Sequence, residues 1–303
     1  MKTNHKNKIL FYLFCFEVFI TIALIAYAIY TVPKVFAFES NGESELSQNI
    51  LKGAFIIWII VAVVLCSGKY EENRKRKINY KEKYVKKMLD QTFNKVNYDY
   101  TRGIPVTVPK ATRMIKIGSG YYSNDFVSGE YKGVEFMQSD IEISNGSGED
   151  KVTVFKGRWL TFEFPKNFLY RMEIVEKGFK ANKIPEPIDK KEKKFEKIET
   201  ESPSFNQRFE VYAEDGLEAF YILDPAFMER IEKTGDEYKG KMMLMFIENT
   251  LNVAIWSGKD AFEFDEYKDE EDATEATENI KKEIKIITDF VDFLRLDQKI
   301  FKK

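Results

Sequence analysis

The order of apolar and polar positions divides this chain into a membrane-like beginning and a mixed remainder. From Ile9 to Tyr30 the residues read ILFYLFCFEVFITIALIAYAIY, with one charge, Glu17. A bilayer core is crossed by about 20 such residues, so a first transmembrane helix is predicted over 9–30. Ala54 to Cys66, AFIIWIIVAVVLC, is shorter; Ile50, Leu51, Ser67 and Gly68 extend it to a second span over 50–68, with Lys52 able to snorkel. Basic residues set the orientation. Lys2, Lys6 and Lys8 precede the first span and Lys69, Arg74, Lys75, Arg76 and Lys77 follow the second, while the loop between holds Lys34 against Glu39, Glu43 and Glu45. Both termini are therefore expected in the cytoplasm. A cleaved signal peptide ending near Val35-Phe36-Ala37 is the competing reading, and it leaves the C-terminal part on the same side.

Beyond the spans the period changes twice. Over 69–97, Ile78, Tyr84, Val85, Met88, Leu89, Phe93 and Val96 recur at helical spacing without Gly or Pro after Gly68, which predicts a basic amphipathic juxtamembrane helix. Its cations serve as a positive-inside signal or as a contact for anionic lipid. Over 98–268 the chain alternates apolar and polar residues in short runs broken by Gly, Asn and Asp, the texture of antiparallel strands. Gly133 to Phe136 leads into Asp140 to Ile143, and Ser144 to Gly148 is rich in turn residues. Val152 to Phe155 and Trp159 to Phe164 flank Lys156-Gly157-Arg158, which predicts a tight hairpin. Ala181 to Ser202 is hydrophilic with Pro185 and Pro187, a solvated excursion that leaves one sheet or two lobes open. Asp224 caps a helix that Pro225 begins, and Met242 to Ile247 and Leu251 to Trp256 make a second hairpin. Its Met-rich arm is core or, in the sharper reading, a peptide groove. Over 269–303, Ile280, Ile284, Ile287, Phe290, Val291 and Leu294 define a long closing helix, preceded by an acidic stretch without calcium-loop spacing. The fold class is therefore α+β: two N-terminal spans, an amphipathic juxtamembrane helix, a β-rich antiparallel cytoplasmic domain and a C-terminal helix.

Composition narrows the chemistry. Charged residues make up 32% of the chain with a net charge of -2, so nucleic acid is not an expected partner. The two cysteines, Cys15 and Cys66, fall in the apolar runs, and the one histidine, His5, lies in the N-terminal tail. Neither a His- or Cys-based catalytic site nor a structural zinc site can be assembled in the domain beyond the spans, and no cofactor motif of the GxGxxG or P-loop type occurs. Glu17, about 13 Å along its helix at 1.5 Å per residue, is a functional candidate by its depth, or a protonated carboxyl bonded to Thr21 or a partner helix.

Three ordered stretches carry a resemblance. They are Tyr131-Lys132-Gly133-Val134-Glu135-Phe136; Val154 to Trp159 with Pro165-Lys166-Asn167-Phe168; and Phe205 to Phe209 with Tyr221-Ile222-Leu223-Asp224-Pro225. Together they are similar to an uncharacterised bacterial two-span membrane-protein family known only as a domain of unknown function. The resemblance implies a bacterial inner-membrane setting and a membrane-protein partner of the LemA type, beside the membrane lipids themselves. It implies no reaction and no catalytic residue.

The expected function is a membrane-tethered cytoplasmic binding or scaffolding module, not an enzyme. Lys156, Arg158 and Trp159 are its candidate binding surface, since a hairpin tip with two cations and an aromatic suits headgroups or an acidic peptide. Alternatively Trp159 is buried and the cations flank a turn. The runner-up function is a carboxylate- or metal-dependent membrane-anchored enzyme, and a pore built around Glu17 would require several copies.

Overall fold

The computed structural model describes residues 71–146, 148–165, 167–179, 194–238, 240–263 and 273–296, together with Gly53, Ile57 and Trp58. No helix among the described residues is long and apolar enough to cross a membrane. Glu17 and the first apolar run lie outside them, as does the second run apart from Gly53, Ile57 and Trp58, which are helical. The chain divides into two compact units, Met1–Lys75 and Arg76–Lys303. Within the first, 71–75 is helical, with Arg74 3.5 Å from Glu71.

The second unit opens with a helix, α1, made of 76–80, a π turn at Lys81–Val85 and Lys86–Thr92. It ends short of the expected 97 because Phe93 turns extended and strand β1, Asn94–Asp99, begins. A short helix α2, Thr107–Thr112, precedes two long strands, β2, Gly120–Tyr131, and β3, Val134–Asn145. Lys132 and Gly133 between them both have positive φ, the geometry that lets a two-residue turn follow the strand twist. Strand β4, Val152–Glu163, returns alongside β3.

Here the hairpin expected at Lys156-Gly157-Arg158 is corrected: those residues lie inside one continuous strand, paired with Glu142, Ile141 and Asp140 of β3. Gly157 does not turn the chain. A Cβ at this position would stand 2.0 Å from the Ile255 carbonyl oxygen of the neighbouring strand, so the glycine allows close approach. The reversal occurs before β4, where Gly146 and Gly148 adopt positive φ.

The remaining elements are β5, Met172–Glu176; β6, Glu196–Ile198; α3, Pro203–Arg208; β7, Phe209–Ala213; α4, Gly216–Ile222; α5, Pro225–Glu237; β8, Lys241–Ile247; β9, Thr250–Trp256; and α6, Ala273–Leu294. Asp224 caps α5 by accepting from the Phe227 amide at 2.7 Å, and Pro225 occupies the first turn. Among the described residues, nine strands join one antiparallel sheet, ordered β1-β2-β3-β4-β9-β8-β5-β7-β6, so the question of two lobes resolves to one sheet.

Alternation along the strands gives the sheet two apolar faces. One face presents Phe136, Leu160, Phe162, Leu244, Phe246 and Val253 to α1 through Val85 and Leu89 and to α6 through Ile284, Ile287 and Phe290. The other holds Phe155, Trp159, Met243, Met245 and Ala254 against Ile104, Met114, Ile115 and Phe179. The Met-rich arm of β8 is thus core on both sides, with Met242, Met243 and Met245 all buried.

Candidate functional site

The expected binding surface does not form. Lys156 is the only member of the trio that is not buried, and its ammonium lies 3.3 Å from Asp260 and 3.7 Å from Glu142. Arg158 is buried and joins α6: one guanidinium nitrogen donates to the Glu283 carbonyl at 2.8 Å and another reaches the Glu283 carboxylate, while the group sits 5.8 Å from the Phe262 ring centre. Trp159 points to the opposite face, fully buried, with no partner for its indole N–H. Successive residues of a strand face opposite ways, so once 156–159 is strand, Arg158 and Trp159 cannot share a surface.

What the strand does assemble around Arg158 is a buried cluster of charged groups. Asp140 on β3 accepts from the Ala261 amide at 2.5 Å through one carboxylate oxygen, while the other oxygen has no partner. Burial pushes this carboxyl well above the usual carboxylate range; Arg158 opposes the shift and the nearby Asp125 adds to it. Asp125 lies where the β2–β3 register slips between Asn124 and Val127, in a left-handed conformation with φ of 53°. Its carboxylate takes both contacts of the Lys81 ammonium and accepts from the Tyr98 hydroxyl at 2.9 Å and from the Asn124 amide at 2.7 Å. Burial raises Asp125 as well, with Lys81 and Tyr98 pulling it back. Tyr80 is pushed up to about 12 by burial and by Glu283 and Asp125. The cluster thus ties α1, β2, β3, β4 and α6 together. Its acids are buried and held by protein donors, and among the described residues no group of three or more His, Cys, Asp or Glu side chains could hold a metal ion.

A second feature lies at the surface. Asp215 caps α4, accepting from the Leu217 and Glu218 amides at 3.1 and 3.2 Å. The buried side of this helix is Ala219 and Ile222, yet its outer side is apolar too: Leu217 is 84% exposed, Tyr221 62% and Phe220 46%. Glu218 accepts from the Leu169 and Tyr170 amides at 3.1 and 2.9 Å, which brings Leu169, 83% exposed, beside them. Single exposed leucines are ordinary, but four large apolar side chains together mark a contact surface. Acidic groups flank the same helix in sequence. From Phe209 to Glu229 the sequence has six carboxylates and no Lys or Arg, and Glu214 is engaged by Arg171 at 2.5 Å. This surface escapes a sequence reading because Leu217 to Leu223 resembles any short core segment; the available signal is that Leu217, Phe220 and Tyr221 add apolar residues beyond what the one buried side, Ala219 and Ile222, requires.

A family model described as "Protein of unknown function (DUF3137)" matches residues 153–296, from β4 to the end of α6. The match includes the α4 surface and excludes Lys81, Asp125 and Asp140. No curated protein matches the chain. Among solved structures, a crystal structure of the mycobacterial trehalose monomycolate transport factor A, TtfA, is similar at 14% identity and a TM-score of 0.40, covering 73% of this chain and 94% of that one.

Proposed function

We propose that this chain, whose residues 153–296 match the DUF3137 family model, is a membrane-tethered binding or scaffolding module whose partner-facing surface is the patch of Leu169, Leu217, Phe220 and Tyr221. The observation that carries the reading is the outward apolar side of α4. Burying a Leu or Phe side chain is worth about 1.5–3 kcal/mol, so leaving four such groups in water forgoes stabilisation that a partner would supply. The tether rests on the two apolar runs of the sequence and on the basic residues flanking them, which favour a cytoplasmic domain, while the family resemblance implies a bacterial inner-membrane setting. A membrane protein held in the same bilayer, of the LemA type that the family resemblance implies, is the partner class such a tether would concentrate.

The enzyme alternative draws no support from Asp125 and Asp140, since both are buried and their donors also hold the fold together. The test is crosslinking of the full chain in its native membrane, comparing the wild type with Leu217→Ser/Tyr221→Ser. Loss of a discrete crosslinked product, with unchanged membrane extraction and thermal midpoint, supports the reading; identical products from both forms overturn it.

A further inference from the structure

We infer that Asn145-Gly146, where β3 ends, is a site of spontaneous covalent modification, at which the asparagine is converted to aspartyl and isoaspartyl forms. The chemistry is intramolecular up to its last step. The Gly146 amide nitrogen attacks the Asn145 side-chain carbonyl carbon and gives up its proton, while the bond from that carbon to the side-chain nitrogen breaks and ammonia leaves. Water then opens the cyclic imide at either of its carbonyls. One opening gives an ordinary aspartate; the other routes the backbone through the side chain. Asparagine is among the thermolabile residues for this reason, but the rate depends on where it sits.

Asn145 meets both demands of the ring closure. The attacking nitrogen has to be approachable, and a glycine has no Cβ to shield it. Asn145 and Gly146 are both exposed, at the point where the chain leaves β3 and reverses toward β4, and Gly146 has φ of 77°. The side chain also has to swing. Asn145 makes no side-chain hydrogen bond among the described residues, and Gly118 leaves room beside it, since a Cβ there would stand 2.4 Å from the Asn145 amide oxygen. Its backbone forms the last rung of the β3–β4 ladder, opposite Val152 and beyond the register slip between Ile143 and Ser144, where opening costs least.

Other asparagines are held. Asn124 donates to Asp125 and Asn249 to Glu163, both at 2.7 Å; Asn206 accepts from the Thr200 hydroxyl and donates to its carbonyl, both at 2.8 Å. Asn252 is buried and bonded to Thr161 at 2.8 Å. Each of these is followed by a residue with a Cβ. The other Asn-Gly pair of the sequence, Asn41-Gly42, lies outside the described residues. Either product at 145 places a new carboxylate on the strand end opposite Val152, and the isoaspartyl form also adds a methylene to the backbone at that rung.

The experiment ages the full chain in detergent at mildly alkaline pH and maps it by peptide mass spectrometry, with electron-transfer fragmentation to separate aspartyl from isoaspartyl products. The peptide carrying Asn145 should be converted severalfold faster than those carrying Asn206, Asn249 or Asn252, with isoaspartate among its products. Asn145→Gln, whose side chain would have to close a larger ring, should abolish the conversion at this position. A parallel sample unfolded in urea separates the sequence from the fold. Conversion of Asn145 in the folded chain supports the inference. Conversion confined to urea means that the β3–β4 pairing shields the site, and overturns it, as does an Asn145 that converts no faster in the folded chain than the bonded Asn252.

Discussion

The two faces of the sheet bury acidic side chains in opposite ways. On the face covered by α1 and α6, Asp125 is met by Lys81, Tyr98 and Asn124, and Asp140 by the Ala261 amide with Arg158 close by. On the other face Glu173 of β5 is fully buried and neither carboxylate oxygen has a partner. Its neighbours across the strands are Met245 and Tyr212, and the Tyr212 hydroxyl donates to Glu210 at 3.1 Å. Burial alone pushes the Glu173 carboxyl up to about 8, so it is neutral at pH 7. The difference shows what the helices contribute. Where α1 and α6 cross the sheet, Lys81 opposes the upward push of burial on Asp125, as Arg158, held by Glu283, does on Asp140; where the described neighbours are apolar, burial of the acid goes unopposed.

The largest effect should come from breaking the paired side. Lys81→Met keeps the apolar stem and removes the ammonium, leaving Asp125 buried without its main counter-charge. Loss of one partner of a buried pair costs about 3–5 kcal/mol, to be measured by urea unfolding of the full chain in detergent with Trp159 and Trp256 as reporters. Asp125 has a raised carboxyl pKa, so the deficit should shrink as the pH falls and the aspartate takes up a proton. Lys81→Met/Asp125→Asn should recover part of the loss at neutral pH. A loss below about 1 kcal/mol would show that the contact is not a strong constraint.

The lone acid gives a signature of the same sign, with no partner to oppose it. The folded-state pKa of Glu173 is raised from 4.5 to about 8, so the native protein holds a proton that the unfolded chain releases, and this group makes stability fall as pH rises through that window. The slope is about 1.4 kcal/mol per pH unit between the two values. Glu173→Gln should remove that component, and the variant should exceed the wild type above pH 8. Parallel pH profiles for the two proteins would mean that Glu173 is ionised or finds a partner in solution.

How much of this was legible depends on how local its cause is. The Asp224-Pro225 start of α5, the β8–β9 hairpin and the period of α6 were readable because cap, turn and apolar spacing lie within a few residues. Lys156-Gly157-Arg158 imitates a turn locally, and only the Ile255 carbonyl, about a hundred residues on, explains its glycine. The charged cluster was invisible for the same reason. Lys81, Asp125, Asp140, Arg158 and Glu283 share no motif and meet only through the strand order and the path of α6. Burial of Trp159 then follows from strand alternation, as does the separation of the three residues expected to act together.

The smallest effect sharpens the comparison from within the paired side. Gln138 lies two residues from Asp140 on β3, between Val127 of β2 and Leu160 of β4, and both its amide oxygen and its amide nitrogen are buried without partners. If bringing helices to this side satisfied every polar group, Gln138 would be bonded. It is not, so pairing reaches only the groups that Lys81, Arg158 and the Ala261 amide can touch. A buried amide lacking its bonds costs about 1–3 kcal/mol relative to an apolar side chain of similar shape. Gln138→Leu should therefore raise stability by about 1 kcal/mol after some repacking against Leu160, with no change in its pH dependence. A destabilised variant would mean that Gln138 is bonded in solution, and that the paired side extends further along β3 than the contacts of Asp140 indicate.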